Sequence, residues 1–359
     1  MDAANRARQR GPSEQFLNFQ VRIGERTIGP GSPVFVIAEA GVNHFGQMER
    51  AIRLVDMAVE AKADAVKFQV YKTELMIAKE SREWVERMKQ KELRYEEIAE
   101  VKKYCERRGI LFLASAHEEE SVDFLNSLGV PVFKVGSGEK QNLPYLRHLA
   151  EKKKPILLST GMYSLEDVRS AVRELEAGGC REIVLLHCVT LYPTRPNEVN
   201  LRAMDVLRSA FPYPVGYSDH TVGMHIVLAA VARGAVCIEK HIALEKEYPG
   251  TQDPIVSCDK EELIAMVRQI REIEDALGSA SKAPVSRERE SEGWARKSLV
   301  ARVPIREGVT VTRDLLVAKR PGTGISPAYI DHLIGRVANR NIDKDEVLKE
   351  EWFSPIRSG

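Results

Sequence analysis

The stretches Val215-Gly-Tyr-Ser-Asp-His220 and Cys237-Ile-Glu-Lys-His241 decide the fold of this chain. Each is a short apolar run that is typical of a buried strand and that then ends in polar residues with a histidine. The segment between them has the length and the pattern of one helix, so the two strands are expected to be parallel neighbours. Both histidines would then leave the sheet at the same edge.

The same alternation of buried strands and amphipathic helices runs through most of the chain. Strands are predicted at 33–38, 64–69, 110–115, 131–136, 155–159, 182–188, 214–217 and 236–240. Helices are predicted at 47–62, 95–108, 118–128, 143–151, 164–177, 200–210, 223–233 and 259–277. Eight strand–helix units imply a closed (β/α)8 TIM barrel. A doubly wound open sheet is the alternative, and the lack of a Gly-x-Gly-x-x-Gly motif after the first strand weakens it.

The 359 residues divide into a tail, a barrel, a linker and a small unit. Residues 1–19 are interpreted as a disordered tail, and they lack the apolar core of a signal peptide. Residues 20–278 form the barrel domain, which begins with a hairpin turning at Gly24-Glu25. The charged, Ser-rich segment 279–297 is typical of a linker. Residues 298–359 make a unit that is hard to stabilise alone, so we expect it to dock on a barrel, either its own or that of another subunit.

The composition excludes several classes of protein. Lys and Arg number 53 and Asp and Glu number 52, so the formal net charge is +1 and gives no reason to expect nucleic acid as a partner. No stretch approaches the ~18–20 apolar residues of a membrane span. The five cysteines form no Cys-x-x-Cys pair, which favours a reducing cytoplasm over a disulfide framework.

Two lysines lie inside apolar runs, Lys67 in the second strand and Lys134 in the fourth. A buried lysine is rare unless it is paired. One interpretation is a structural ion pair with Glu39 or Glu239. A second is an anion site for phosphate and carboxylate, to which Ser137, Ser159 and Ser218 would add hydroxyl groups. A lysine that forms a Schiff base is the third. Two lysines on nearby strands favour anion binding.

His220 and His241 also have two interpretations. They are either two hydrogen-bonded core histidines or a two-histidine metal site with open positions. Such a site suits Mn²⁺, Zn²⁺ or Fe²⁺ acting as a Lewis acid on a carbonyl group. His44, His117 and His187 are weaker ligand candidates.

With these residues identified, the chain resembles the sialic acid synthase (N-acetylneuraminate synthase) family. The resemblance covers about residues 20–357, and its motifs occur in the family's order. They are Ile37-Ala-Glu-Ala-Gly-Val-Asn-His-Phe-Gly46, Ala65-Val-Lys-Phe-Gln69, Phe133-Lys-Val-Gly-Ser-Gly-Glu139, Leu158-Ser-Thr-Gly-Met162, Leu186-His-Cys188, Tyr192-Pro-Thr194, Gly216-Tyr-Ser-Asp-His220, Ile238-Glu-Lys-His241, Trp294-Ala-Arg-Lys-Ser298 and Lys319-Arg-Pro-Gly-Thr-Gly-Ile-Ser-Pro327.

The resemblance implies a TIM barrel followed by a small C-terminal antifreeze-like (SAF, β-clip) domain. It implies condensation of phosphoenolpyruvate with an N-acylated amino sugar, which gives a nine-carbon 2-keto-3-deoxy acid and phosphate. A divalent metal, Mn²⁺ first and Mg²⁺ or Co²⁺ otherwise, would be held by His220 and His241. The implied substrate-binding residues are Lys67, Gln69, Lys134, Ser137, Ser159, Thr190, Tyr192, Ser218 and Arg320. Arg320 would reach the sugar site of the partner in a domain-swapped homodimer.

Two further acidic residues complete the set that the resemblance implies. Glu39 would face the sugar and the metal-bound water, and it is our first candidate for the base or the acid of the reaction. Asp253 is aligned with the family aspartate that contacts the sugar. It lies in Pro249-Gly-Thr-Gln-Asp-Pro-Ile-Val-Ser257, where the chain departs from the family by an apparent insertion. The acceptor is therefore left as N-acetylmannosamine or a 6-deoxy-diamino relative.

Two other functions remain open from the residues. A lysine-imine aldolase would use Lys134 or Lys67, and borohydride would trap its imine. A non-catalytic sugar-binding barrel is the third possibility, and reactive groups at every presumed catalytic position weigh against it.

Overall fold

A computed structural model describes residues 19–248 and 251–355 of the chain. The predicted tail at 1–19 lies outside the described residues except for Phe19. The Phe19 ring packs edge-on against Tyr213, with 5.5 Å between the ring centroids. The chain divides after Gly278 into two compact units, and each is described by itself.

The first unit is a closed barrel of eight parallel strands. A hairpin precedes it, formed by β1 (Val21–Ile23) and β2 (Arg26–Ile28), which pair antiparallel. The barrel strands follow in chain order and close by pairing β10 with β3. They are β3 (Phe35–Gly41), β4 (Ala65–Val70), β5 (Leu111–Ala116), β6 (Phe133–Val135), β7 (Ile156–Ser159), β8 (Ile183–Cys188), β9 (Val215–Asp219) and β10 (Cys237–His241). The predicted barrel is confirmed, and the open sheet is wrong.

Helices alternate with the strands and pack on the outside of the barrel. They are α1 (Met48–Glu60), α2 (Thr73–Met76), α3 (Arg82–Lys89), α4 (Tyr95–Arg108), α5 (Glu119–Ser127), α6 (Leu143–Glu151), α7 (Leu165–Ala177), α8 (Ala203–Ala210), α9 (His225–Ala232), α10 (Asp253–Val256) and α11 (Lys260–Leu277). The short helices α2 and α3 lie in the long excursion after β4.

Local sequence explains where these helices begin and which face they bury. In α1 the buried residues recur at three- and four-residue spacing, at Ala51, Leu54, Val55 and Ala58. Helix α7 begins after Ser164, whose hydroxyl accepts a hydrogen bond from the Asp167 backbone N–H, while the Asp167 carboxylate accepts one from the Ser164 backbone N–H. Helix α11 has the same capping box at Asp259 and Glu262.

Alternate residues of every strand point into the barrel. These inward residues are apolar near the amino ends of the strands and polar near the carboxyl ends. The apolar half holds Phe35, Ile37, Ala65, Leu113, Val132, Leu157, Val184, Leu186 and Cys237. The hairpin buries Val21, Ile23 and Ile28 in the same cluster, so it plugs the end at which the strands begin. The next inward positions, towards the carboxyl ends of the strands, are polar.

The second unit, described over 279–355, has its own small core. It contains α12 (Ser286–Ala295), the antiparallel pair β11 (Ser298–Ala301) and β12 (Leu316–Lys319), and α13 (Ile330–Leu333). Its core comprises Leu299, Ala301, Ile305, Val311, Leu316, Leu333, Ala338, Ile342, Leu348 and Phe353. The predicted linker, 279–297, contains the ten-residue helix α12.

None of the helices in the two described ranges combines the length and the apolar character that crossing a membrane requires.

Candidate active site

Side chains from seven strands meet in the polar half of the barrel, at the carboxyl ends where barrel active sites form. The Lys134 ammonium, on β6, lies 3.3 Å from Oε1 of Glu239, on β10. These two strands are not neighbours in the barrel, so this contact crosses the interior. The charged and hydroxylic side chains of this layer are buried: Glu39, Lys67, Ser115, Lys134, Ser159, Ser218 and Glu239.

Two lysines and two carboxylates form a compact charge cluster at the centre of this layer. The Lys67 ammonium lies 2.8 Å from Oε2 of Glu39 and 3.6 Å from Oε2 of Glu239, and it donates a hydrogen bond of 2.9 Å to Ser115. Glu239 also accepts a hydrogen bond of 2.9 Å from the Ser218 hydroxyl. The structural ion pair that the sequence left open is therefore present, and it involves both lysines.

The two carboxylates have pKa values that move in opposite directions. Burial raises the pKa of Glu39, and the attraction of Lys67 opposes this only in part. Burial also acts to raise the pKa of Glu239, but Lys134 and Lys67 together overcome it and hold the value at about 2. Glu239 is thus a permanent anion that neutralises the lysines, whereas Glu39 is the carboxyl group suited to take up and release a proton.

Several hydroxyl groups next to the charge cluster have unused hydrogen-bonding capacity. The buried hydroxyls of Ser159 and Thr190 find no hydrogen-bond partner among the described residues. The Ser137 hydroxyl accepts a bond of 3.0 Å from the Gly161 N–H. A β-carbon at position 161 would lie 2.7 Å from that hydroxyl oxygen, so only glycine fits there. Buried polar groups are normally paired, so these hydroxyls indicate a place for a polar ligand.

His220 and His241 lie side by side above the charge cluster, with 5.3 Å between their ring centroids. Nδ1 of His220 lies 2.7 Å from the Val189 carbonyl oxygen, which can only accept, so Nδ1 carries the proton. The lone pair is then on Nε2, which accepts a hydrogen bond of 2.8 Å from the Tyr192 hydroxyl. Nδ1 of His241 is buried, and no described residue bonds to it.

This arrangement fits a divalent metal held by two neutral imidazoles. A carbonyl acceptor on the far nitrogen of a histidine is the usual way in which a metal-binding tautomer is fixed. Burial lowers the pKa of His241 well below its usual value, and the neighbouring His220 lowers it further, so His241 is neutral. Within the described ranges, no group of three or more His, Cys, Asp or Glu side chains is placed to hold a metal. Water and substrate would supply the remaining ligands.

Two more predicted residues lie beside this site. The Gln69 amide donates a hydrogen bond of 3.3 Å to Oε1 of Glu39. Asp253 is the first residue of α10. Burial raises the pKa of its carboxyl group, and the attraction of the nearby Lys91 ammonium opposes this only in part. Lys91 comes from the excursion after β4 and donates a hydrogen bond of 3.1 Å to the Thr251 hydroxyl.

Of the remaining histidine candidates, His187 and His44 have hydrogen-bond partners, whereas buried Nε2 of His117 has none among the described residues. Arg320 lies in the second unit. His187 donates from Nε2 to the Val199 carbonyl oxygen at 2.7 Å, and Nδ1 of His44 accepts a bond of 3.1 Å from the Gly46 N–H. Arg320 is exposed and donates from Nε to the Ala295 carbonyl oxygen at 3.0 Å.

The sequence did not single out the buried ion pair between Asp219 and Lys240, in which Nζ lies 2.6 Å from Oδ2. The signal was available, because each residue directly precedes one of the two histidines. The signal is weak, because the neighbour of an inward-facing site residue on a strand points outwards. A charged side chain at such a position is usually interpreted as solvent-exposed.

Comparisons with protein families agree with this architecture. A model described as the NeuB family matches residues 54–282, and a model of the SAF domain matches residues 296–351. The antiparallel strands of the second unit lie within the SAF match, so the expected SAF domain is confirmed.

Three similar proteins show how far the likeness extends. The N,N'-diacetyllegionaminic acid synthase of Campylobacter jejuni is 40% identical over 88% of this chain and 98% of its own length. An uncharacterized protein of Methanocaldococcus jannaschii is 42% identical over 92% of this chain and 97% of its own length. The crystal structure of the N-acetylneuraminic acid synthetase of Leptospira borgpetersenii superposes with a TM-score of 0.72 at 34% identity, covering 76% of this chain and 95% of that one.

Proposed function

Because the chain belongs to the NeuB family, we propose that it condenses phosphoenolpyruvate with an N-acylated amino sugar, giving a nine-carbon 2-keto-3-deoxy acid and phosphate. Its relatives are enzymes of the sialic acid synthase type. One observation carries the proposal beyond the family. The charge cluster, the unpartnered hydroxyls and the two histidines lie in a single buried site, in which the lysines and hydroxyls suit an anion and the histidines suit a metal.

Lys67 and Lys134 would bind the phosphate and carboxylate groups of phosphoenolpyruvate. Both lysines already contact Glu239, and Lys67 also contacts Glu39, so an incoming anion enters a site of balanced charge. The hydroxyls of Ser137, Ser159 and Thr190 would donate to the anion.

His220 and His241 would hold the metal, with Mn²⁺ as the first expectation and Mg²⁺ or Co²⁺ as alternatives. A bound divalent ion would polarise the aldehyde carbonyl of the sugar. Tyr192 contacts the lone pair of His220 and would turn to the substrate when that lone pair is engaged. Asp253 and Gln69 lie beside this site and would bind the hydroxyl and amide groups of the sugar.

The proposed reaction forms one carbon–carbon bond and one carbon–oxygen bond and breaks one carbon–oxygen bond. C3 of phosphoenolpyruvate attacks the aldehyde carbon, whose oxygen becomes an alkoxide. A water molecule adds to C2 and gives a proton to Glu39, which passes it to the alkoxide. The new C2 hydroxyl gives its proton to the phosphate as the bond to the bridging oxygen breaks, so C2 becomes a ketone and phosphate leaves. Glu39 suits the role of base because burial raises its pKa above that of an ordinary carboxyl group.

The geometry disfavours the lysine-imine alternative. An imine forms from a neutral amine, so a Schiff-base lysine needs a lowered pKa. Burial acts to lower the pKa of Lys67, but Glu239 and Glu39 outweigh it and raise the value. Lys67 is therefore held as an ammonium ion, which suits anion binding.

Mass spectrometry of the product tests the reaction class. The purified protein is incubated with phosphoenolpyruvate, Mn²⁺ and a panel of N-acylated amino sugars, some of them 6-deoxy. We expect a product with the mass of both substrates plus water minus phosphate, and EDTA should prevent its formation. Trapping of a protein–substrate adduct by borohydride, with product formation unaffected by EDTA, would refute the proposal in favour of an imine aldolase.

We also propose that the active form is a domain-swapped homodimer in which Arg320 of the partner subunit reaches the sugar. The exposure of Arg320 in the second unit supports this role, because its guanidinium is open to a ligand outside that unit. A hydroxyl or amide oxygen of the sugar would accept from its N–H groups.

A further inference from the structure

The pair formed by Asp219 and Lys240 lies on the outer side of the strands that carry the two histidines. Ser218 and Glu239 point into the barrel, where they bond to each other. The next residues, Asp219 and Lys240, therefore point outwards, and they are register partners on β9 and β10. Both side chains have 0% exposure, so the ion pair is wholly removed from solvent.

A hydrogen-bond network fixes this pair on every side. Asp219 accepts from the Tyr217 hydroxyl at 2.6 Å, from the Thr221 hydroxyl at 3.0 Å and from the Thr221 backbone N–H at 3.2 Å. The Lys240 ammonium donates to Asp219 at 2.6 Å and to the Thr221 carbonyl oxygen at 2.5 Å. Both backbone polar groups of Thr221, the residue after His220, are thus held by the pair.

The consequence is a direct link between the two histidine-bearing segments. His220 lies between Asp219 and Thr221, and both of these are fixed by side chains of the network. Lys240, which precedes His241, supplies the bond that reaches across to Thr221. A change in this network would therefore move His220 relative to His241.

Stability alone does not account for such a pair. Two buried charges cost desolvation energy that their attraction only roughly repays, and apolar residues of similar shape are often as stable or more so. Buried ion pairs are best explained where they fix a geometry.

We infer that Asp219 and Lys240 are positioning residues that set the distance between His220 and His241 for metal binding. This inference rests on the proposed metal-dependent function. The partners that orient metal ligands typically contribute ~10–100-fold to metal affinity. The pair acts through the histidines and touches neither substrate nor metal.

The test replaces both charges at once, because removing one would leave the other buried and unpaired. The double variant Asp219→Asn/Lys240→Met keeps the side-chain volumes and leaves an amide oxygen for Tyr217 and Thr221. The affinity of the full-length protein for Mn²⁺ is measured from the electron paramagnetic resonance signal of free Mn²⁺, and thermal unfolding is followed in parallel. We expect the Mn²⁺ dissociation constant to rise ~10–100-fold with the unfolding temperature preserved.

A matched control removes an ion pair at the opposite end of the barrel. Nη2 of Arg271 lies 3.1 Å from Oδ2 of Asp64, near the start of the strands. Asp64→Asn/Arg271→Met should leave Mn²⁺ affinity unchanged, which separates positioning from a general loosening of the barrel.

The outcomes distinguish this inference from the proposed function. Mn²⁺ affinity equal in the double variant and the wild type would overturn the positioning role and leave the metal site intact. A wild type that binds no Mn²⁺ would overturn both. If the double variant does not fold, Thr221→Val decides, because it removes only the hydroxyl bond to Asp219. It should weaken Mn²⁺ binding about threefold, as the loss of one hydrogen bond implies, and no change would overturn the inference.

Discussion

Replacing Glu39 with glutamine separates the proton-transfer role of this residue from its place in the charge cluster. Glutamine keeps the size of the side chain and can still accept from the Gln69 amide, but it has no basic carboxylate. The Lys67 ammonium, which lies 2.8 Å from Glu39, keeps its second carboxylate, Glu239, at 3.6 Å. We therefore expect the variant to fold.

The charges of the cluster determine how Glu39→Gln should change the KM for phosphoenolpyruvate. Glu39 and Lys67 attract each other by about 6 kcal/mol in gross Coulomb terms at 2.8 Å and an effective dielectric constant of ~20. In the variant, a bound anion no longer competes with that attraction, and two lysines face a single carboxylate. The KM for phosphoenolpyruvate should stay constant or fall. Loss of a general base should lower kcat by about 10²–10⁴-fold.

Steady-state phosphate release, measured with each substrate varied in turn, checks both the expected KM for phosphoenolpyruvate and the expected kcat. Glu176→Gln is the matched control, because Glu176 lies on the outer helix α7 and accepts a hydrogen bond from the Tyr213 hydroxyl that glutamine can also accept. A variant whose kcat is within about tenfold of the wild type would refute Glu39 as the base. So would a KM for phosphoenolpyruvate that rises while kcat is kept, since that result would make Glu39 a binding group.

His220→Ala should abolish turnover while circular dichroism shows an intact fold, and an active variant would rule out the metal assignment. Arg320→Ala should raise the KM for the sugar more than that for phosphoenolpyruvate, and equal effects on both would argue against a role at the sugar site. The acid limb of the kcat–pH profile should lie above the usual carboxyl pKa of 4.5, because burial raises the pKa of Glu39 and the base must be ionised. That limb should be missing from the residual activity of Glu39→Gln, and its persistence there would assign it to another group.

The barrel was predictable because its strands are buried on both faces and its helices on one. Such strands appear as continuous apolar runs, and the helices between them show a three- and four-residue period. Predicted and observed bounds agree closely. The helix predicted at 95–108 is observed at Tyr95–Arg108, and the strand predicted at 236–240 is observed at Cys237–His241. The doubly wound sheet remained an alternative because closure depends on pairing β10 with β3, and no local pattern encodes that pairing. The structure contains that pairing, so the alternative is wrong.

The charge cluster was predictable only in its members. Lys67 and Lys134 lie inside apolar runs, which indicated buried charges. The sequence left ion pairing, anion binding and a Schiff base as alternatives. The structure shows the ion pairs, and those pairs leave the hydroxyls of Ser159 and Thr190 unpartnered beside them. Which side chains contact each other depends on distances across the barrel interior. Those distances follow from the tilt and register of the strands, which the spacing of residues along the chain does not give.

The network of Asp219 and Lys240 escaped prediction for a different reason. Alternation along β9 and β10 places these residues outside the barrel, and the outward face of a strand is expected to meet an apolar helix. A fully buried pair there breaks the pattern, and departures of this kind tend to occur at functional or strained sites. The start of helix α12 in the predicted linker is explained by its local sequence, because the Glu288 carboxylate accepts a hydrogen bond of 3.0 Å from the Val285 backbone N–H.

Phosphate release from phosphoenolpyruvate, measured with the purified protein, Mn²⁺ and each N-acylated amino sugar in turn, tests the central claim most directly. We predict release that requires both the metal and a sugar and that is fastest with N-acetylmannosamine or a 6-deoxy-diamino relative. Metal-loaded protein that releases no phosphate with any of these sugars, or that releases it equally without one, would contradict the claim.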